Sequence, residues 1–433
     1  MTHHAESEGE TMSKLAINGG TPVRSRPLPP NYPGALVYGK EEADFTSRVI
    51  YGQSPFRYYG PNMQSAVESL ENAMTKDFDV PYALAVTSGT AALVVAMKAL
   101  GIGYGDKVII PANTFIATAG AVVCSNAVPV YCDVDDSLNI DPSDLERVYD
   151  EDVKAVIVVP ILGNPVDLDP VIAFAKSKNI AVIEDMAQSC GVRYKGRYAG
   201  TIGDIGTFSF QMNKIITSGE GGAVVTRDVK LMERAIRYHD QGVLRHRARY
   251  GIDSPDEQFA FSGQNYRMSE LAGAVMLEQW KKLPAIVGNM KRHHDFIAAA
   301  LKAEIPGIRF RACPDPEGNI GSNLGIVFPT AEATSLFNKA LNAENVQAHV
   351  LYGGKPVYMN PSLYYQRTAE KDNFPYNYPF KQPVVITEQT CPRAIDLIPR
   401  TTYIPVSPVL SNEDAADIIE AVLKVHQSLQ VVV

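Results

Sequence analysis

Cysteine is scarce in this chain, and the few cysteines are scattered. Five occur in 433 residues (Cys124, Cys132, Cys190, Cys313 and Cys391), with no CxxC spacing among them. That excludes a disulfide framework and reads as apolar filling in a reducing compartment. No His/Cys/Asp cluster suggests a metal site. Positive charge is also short: 40 Lys and Arg stand against 48 Asp and Glu, a net charge of −8. A non-specific nucleic-acid binder needs basic surface to neutralise phosphates, so that class is set aside. No apolar run approaches the ~18–20 residues that cross a bilayer. The opening MTHHAESEGETMSK is polar and acidic, without the apolar core of a secretory signal. Ahead of Met12 it reads as a disordered arm or an expression remnant, and both readings stay open. The expectation is a cytoplasmic protein with neither membrane nor nucleic-acid partners.

What is present is the composition of a soluble fold, 45% hydrophobic and 20% charged. Two domains are expected at this length. From about residue 80, short β-branched runs alternate with helix-length segments. ALAVT precedes a helix from Thr90 to Leu100, and KVIIP one starting near Thr114. VPVYCDV leads to a helix signalled by Asp141-Pro142, VKAVIVVP to one at Asp169-Pro170, and IAVIED closes the series. TFSF and GAVVTRD supply further strands. Runs apolar on both faces belong to a sheet covered by helices, which predicts an α/β fold with a mostly parallel sheet. In such sheets ligands collect at the carboxyl ends of the strands. Past Asn265 the pattern predicts a long helix broken by Pro284 and a second one after it. Next come a strand at NLGIVFP, a helix near AEATSLFNKAL, and a final helix capped by Ser411 with Asp414 in capping-box position. Residues 353–383 read as a long loop. The expected division is an arm over 1–40, a large domain over 41–284 and a smaller α+β domain over 285–433.

Two residues carry the chemistry. Lys214 lies in TFSFQMNKIITSGEGG, about 29 residues after Asp185 in VIEDMAQSCG. A lysine in a turn of small residues can form a Schiff base, and a strand-end aspartate can keep a pyridine nitrogen protonated. These are the two fixed points of pyridoxal phosphate chemistry. A desolvated lysine is also a general base near neutrality. In TSGTAAL, Ser88, Gly89 and Thr90 open a helix whose first N–H groups can receive a phosphate. Phe115 in ANTFIAT follows a strand, where its ring can stack on a planar cofactor. Gln188 can reach a ring hydroxyl, and Ser209 can donate to the phosphate.

In this order and spacing the motifs resemble the DegT/StrS family of sugar and cyclitol aminotransferases. They are SGTAAL, GDKVIIPANTF, VIEDMAQ, YKGRYAGTIGDIGTFSF, the lysine with GEGGAVVT, and NYRMSELAGA. The resemblance implies an aspartate-aminotransferase-like fold type I, with a seven-stranded sheet in the large domain. It implies Lys214 as Schiff-base lysine, Asp185 as pyridinium partner, Gln188 at the ring hydroxyl and Phe115 as the stacking ring. Gly89, Thr90 and Ser209 would be phosphate ligands. Asn265 would reach the phosphate of the neighbouring subunit, so the active sites would be shared across a homodimer. Met186 stands where the family usually has alanine, and Pro160 where it often has histidine. Some relatives carry histidine at the lysine position and are deoxygenating dehydratases; Lys214 favours transamination.

The implied reaction moves an amino group from glutamate or glutamine to a keto or aldehyde acceptor in amino-sugar biosynthesis. The acceptor could be a nucleotide sugar, a ketocyclitol or an octulosonate. Arg245, His246, Arg247 and Arg249 cluster in HDQGVLRHRARYG, where Arg247 and Arg249 are candidates for an anionic acceptor. Arg57 and His349 are further acceptor candidates. A lyase or dehydratase using the same cofactor, and a regulator on the same fold, are the alternatives.

Overall fold

The computed structural model describes residues 14–253, 257 and 260–430. The expected arm or remnant ahead of Met12 lies outside the described residues. Eleven strands run in chain order among the described residues. They are β1 (Tyr82–Val86), β2 (Lys107–Pro111), β3 (Val128–Cys132), β4 (Val153–Val158), β5 (Ala181–Asp185), β6 (Arg193–Tyr194), β7 (Arg197–Tyr198), β8 (Ile205–Ser209), β9 (Gly222–Thr226), β10 (Asn323–Val327) and β11 (Thr401–Pro405). The first helices are α1 (Lys40–Tyr51), α2 (Ala66–Phe78), α3 (Gly89–Ala99), α4 (Ile116–Cys124), α5 (Leu145–Val148), α6 (Leu168–Lys178) and α7 (Val229–His239). They are followed by α8 (Glu270–Glu304), α9 (Ala331–Ala343), α10 (Pro361–Tyr364), α11 (Pro392–Leu397) and α12 (Asn412–Leu429).

Seven strands form one sheet in the order β1-β9-β8-β5-β4-β2-β3. β9 pairs antiparallel with both β1 and β8, and every other pairing is parallel. The carboxyl ends of β1, β8, β5, β4 and β2 therefore share one edge. Alternation along each strand feeds two cores. In β1, Leu84 and Val86 pack with α3 and α7, while Ala83 and Ala85 pack with residues of α2 and α8. Strands buried on both faces are mostly apolar along their length, and the site residues Asp185 and Ser209 stand at the ends of β5 and β8.

α8 corrects the expected break at Pro284. The helix runs unbroken over 35 residues with Pro284 inside it. The proline is exposed, on the solvent side where helix hydrogen bonds are already the weakest. The opposite face packs on α1, α2 and α12, which keeps the axis continuous. The expected boundary at 284/285 thus falls within one helix. Beyond it, β10 and β11 pair antiparallel beneath α9 and α12, with a core of Leu324, Ile326, Phe337, Ile404 and Val422. The Ser411 cap closes as the sequence predicts: Asp414 N–H donates to its Oγ at 3.0 Å, and Ser411 N–H to the Asp414 carboxylate at 2.8 Å. At Asp169-Pro170 the helix begins earlier, at Leu168, with Asp167 as the cap residue.

Candidate active site

A cavity of about 730 Å³ opens at the carboxyl edge of the sheet. Its wall takes Ser88, Gly89, Thr90, Phe115, Gln188 and Ser209 together with Asp185 and Lys214. Eight candidates scattered between Ser88 and Lys214 thus converge on one space.

Alternation at the end of β5 separates its two acids. Glu184 turns away and accepts the N–H groups of Gly200, Ile202 and Gly203 at 2.7, 2.7 and 2.6 Å. It ties down the turn before β8 and has no part in the cavity. Asp185, 3% exposed, lines the cavity. Its Oδ1 accepts Ala187 N–H at 3.1 Å and its Oδ2 accepts the Thr118 hydroxyl at 3.0 Å. Burial raises its pKa, opposed by those two hydrogen bonds and by the charge of Lys214. Burial pushes Lys214 in the other direction, below the ordinary lysine range, with Asp185 and Glu220 opposing. Desolvation thus favours the neutral form of both groups, whereas their mutual attraction favours the charged forms.

Ser88 caps α3 by accepting Ala91 N–H at 3.1 Å. The N–H groups of Gly89 and Thr90, in the first turn, have no partner within the helix. At Gly89 a Cβ would stand 2.6 Å from Ser209 Cβ and 3.0 Å from its Oγ. Only glycine lets the helix start approach the end of β8 so closely. Phe115, at the cap of α4, is 51% exposed, unusual for a ring at a strand end. Gln188 donates from Nε2 to the Tyr352 hydroxyl at 2.9 Å.

The acceptor candidates divide. His349 lines the cavity; burial lowers its pKa, and its Nδ1 has no hydrogen-bond partner among the described residues. Arg57 is not there. It is buried, donating to Glu71 Oε1 at 2.7 Å and to the Ala85 carbonyl at 3.0 Å. Arg249 binds the other Glu71 oxygen at 2.6 Å, Asn72 Oδ1 at 3.0 Å and the Glu68 carbonyl at 3.1 Å. A carboxylate on α2, invisible as a partner in the sequence, holds both guanidiniums away from the cavity of their own chain. Arg245 is paired with Asp240 at 2.8 Å. Arg247 is exposed and outside the cavity wall. Asn265 also lies outside it, paired through the backbone with Asp240.

Other residues at the site went unrecognised in the sequence. Thr118 orients Asp185 and in turn meets Thr114 at 2.8 Å; their i, i+4 spacing beside Phe115 was a usable signal. Pro30, Asn31, Tyr32 and Pro33 line the cavity from the segment read as an arm. Ser322, Asn323, Gln347 and Tyr352 do so from the C-terminal third, with no motif to mark them.

A profile of the DegT/DnrJ/EryC1/StrS aminotransferase family matches residues 60–423. The chain is 34% identical to GDP-perosamine synthase of Escherichia coli O157:H7, across 82% of this chain and 89% of that enzyme. It is 38% identical to the L-glutamine:2-deoxy-scyllo-inosose aminotransferase of Micromonospora echinospora, across 63% of this chain and 65% of that one. The match thus spans just under two thirds of that cyclitol enzyme. Among solved structures, 3-amino-5-hydroxybenzoic acid synthase superposes with a TM-score of 0.78 at 23% identity, covering 93% of this chain and 100% of that one. The shared architecture is fold type I. Motifs, fold and family match agree over most of the length: the chain belongs to the DegT/DnrJ/EryC1/StrS aminotransferases, which depend on pyridoxal phosphate.

Proposed function

We propose that this cavity moves the amino group of glutamine or glutamate to a ketone or aldehyde on a sugar-like or cyclitol ring. The residues fit pyridoxal phosphate, on two observations. The space kept open at Gly89 is a cradle that a Cβ would fill, and the helix start beside Ser209 offers phosphate donors. In this reading Gly89, Thr90 and Ser209 hold the phosphate. Asp185 holds the ring nitrogen, Gln188 the ring oxygen and Phe115 the ring face, and Lys214 carries the aldehyde. Bound there, the cofactor supplies a carbon that accepts the amino group and a ring that draws off the electron pair left by proton removal.

The protein's own groups do the rest. Asp185, oriented by Thr118 and the Ala187 N–H, would keep a proton on the ring nitrogen. Lys214, its basicity depressed by burial, would be the base that moves a proton between the two carbons flanking the transferred nitrogen. Neutral polar groups of Asn31, Ser322, Asn323, Gln347 and His349 line the wall. No arginine lines it among the described residues. That wall supports an acceptor held through ring hydroxyls. Asn265, outside its own cavity, supports a homodimer in which it reaches the partner's phosphate site.

The observation that carries this reading is Lys214 and Asp185 in one cavity with a helix N-terminus. The purified protein should absorb near ~420 nm, shift to near ~330 nm with glutamine or glutamate, and return with a keto acid. Borohydride reduction and peptide mapping should place the cofactor on Lys214. A tag elsewhere, or a band indifferent to amino donors, rejects it.

A further inference from the structure

Tyr352 is a bulky residue in a left-handed backbone conformation, at φ 49° and ψ 31°. Gly353 and Gly354 follow it at φ 66° and 78°. Such a conformation is disfavoured for a side chain of this size, and it persists only where surrounding contacts over-determine it. Two contacts do so here. The ring lies 6.2 Å from that of Phe115, tilted by 44°. The hydroxyl accepts from Gln188 Nε2 at 2.9 Å.

The direction of that hydrogen bond follows from the other end of the amide. Gln188 Oε1 accepts the Leu162 N–H at 3.4 Å, which leaves the NH2 group facing Tyr352. The phenol is therefore the acceptor, and its own proton has no acceptor among the described residues. Gln188 keeps one further amide hydrogen. Both side chains line the cavity that holds Asp185 and Lys214. Two adjacent donors, joined by the hydrogen bond from Gln188 to Tyr352, suit an anionic oxygen. The strained loop positions the second of them.

We propose that Tyr352 is a second donor, beside Gln188, to the ring oxygen of the bound cofactor. In this role it sets how tightly that oxygen holds the proton it shares with the Lys214 nitrogen. The proposal rests on reading the cavity as the pyridoxal phosphate site. A donor that draws charge from the oxygen weakens its hold on that proton, so losing the donor raises the pH at which the proton leaves.

Tyr352→Phe removes the O–H and keeps the ring against Phe115. The holoenzyme's visible band is titrated with pH, cofactor loss is followed by dialysis, and the cofactor-free protein is melted. The titration midpoint should rise by about half a unit, a threefold change in proton affinity. Cofactor loss should quicken severalfold, and the melting point should stay put. Tyr352→Asn, a residue that tolerates the left-handed backbone, should raise the midpoint likewise. An unmoved midpoint in both variants overturns the proposal. So does a lowered melting point with an unmoved midpoint, which is the mark of a purely structural residue. A wild-type protein with no such band overturns the site assignment itself, and this inference with it.

Discussion

Gly89, the first residue of α3, approaches Ser209, the last of β8, so closely that an added Cβ would lie 2.6 Å from the serine Cβ. The gap between a helix start and a strand end is where an anion meets unpaired N–H groups. Gly89→Ala should weaken cofactor binding at least ~10-fold, and overpacking should cost about 1–3 kcal/mol of stability. Absorbance titration of the cofactor-free protein and urea unfolding measure the two effects.

Asp185→Asn keeps the shape but replaces the carboxylate with an amide that does not protonate the ring nitrogen. The amino-donor half-reaction should slow by about 10²–10⁴-fold, on the scale of a lost acid–base group. Stopped-flow absorbance at the cofactor band reads this directly. A rate within threefold of wild type would reject the role of Asp185.

The Arg57–Glu71–Arg249 cluster is a matter of stability. Glu71 is fully buried between the two guanidiniums, with Ala85 N–H on the same oxygen as Arg57. Glu71→Gln strips the charge from both pairs and should cost about 3–5 kcal/mol in urea unfolding. Arg249→Ala, at the more open end, should cost less and leave the amino-donor half-reaction unchanged. A raised acceptor KM without lost stability would instead return Arg249 to the acceptor.

His239 gives a pH signature. It is completely buried, with Nδ1 donating to the Ile236 carbonyl at 2.5 Å and Nε2 accepting from the Tyr58 hydroxyl at 3.1 Å. Burial, then the charge of Arg57, pushes its pKa down to about 3. A depressed base is stabilising above its unfolded pKa, and that contribution is lost as pH falls toward the folded value. Stability should therefore decline below about pH 6.5 by up to ~1.4 kcal/mol per unit from this group. His239→Gln should flatten that acid limb; an unchanged slope assigns the acid loss to other groups.

Local chemistry was legible where a motif packs several needs into neighbouring residues. TSGTAAL announces a strand end, a cap and a close approach at once, and the β-branched runs announce a sheet covered on both faces. Capping at Ser411 was equally readable, since the partners sit three residues apart. Pro284 misled because the penalty for proline depends on which side of the helix it faces. The Glu71 pairing of Arg57 and Arg249 was not legible, because a guanidinium looks the same in sequence whether it awaits a ligand or a buried glutamate.

The sequence by itself determined the α/β alternation, the lysine, the aspartate and the phosphate-type helix start, because each depends on residues close together in the chain. Only the tertiary structure decided that Glu184 serves a turn while Asp185 serves the cavity. It alone brought Tyr352, Ser322 and Asn323 to the same wall as Pro30 and Asn31. Those pairings join segments hundreds of residues apart, and the energies that set them come from burial and strand register, which no local pattern records.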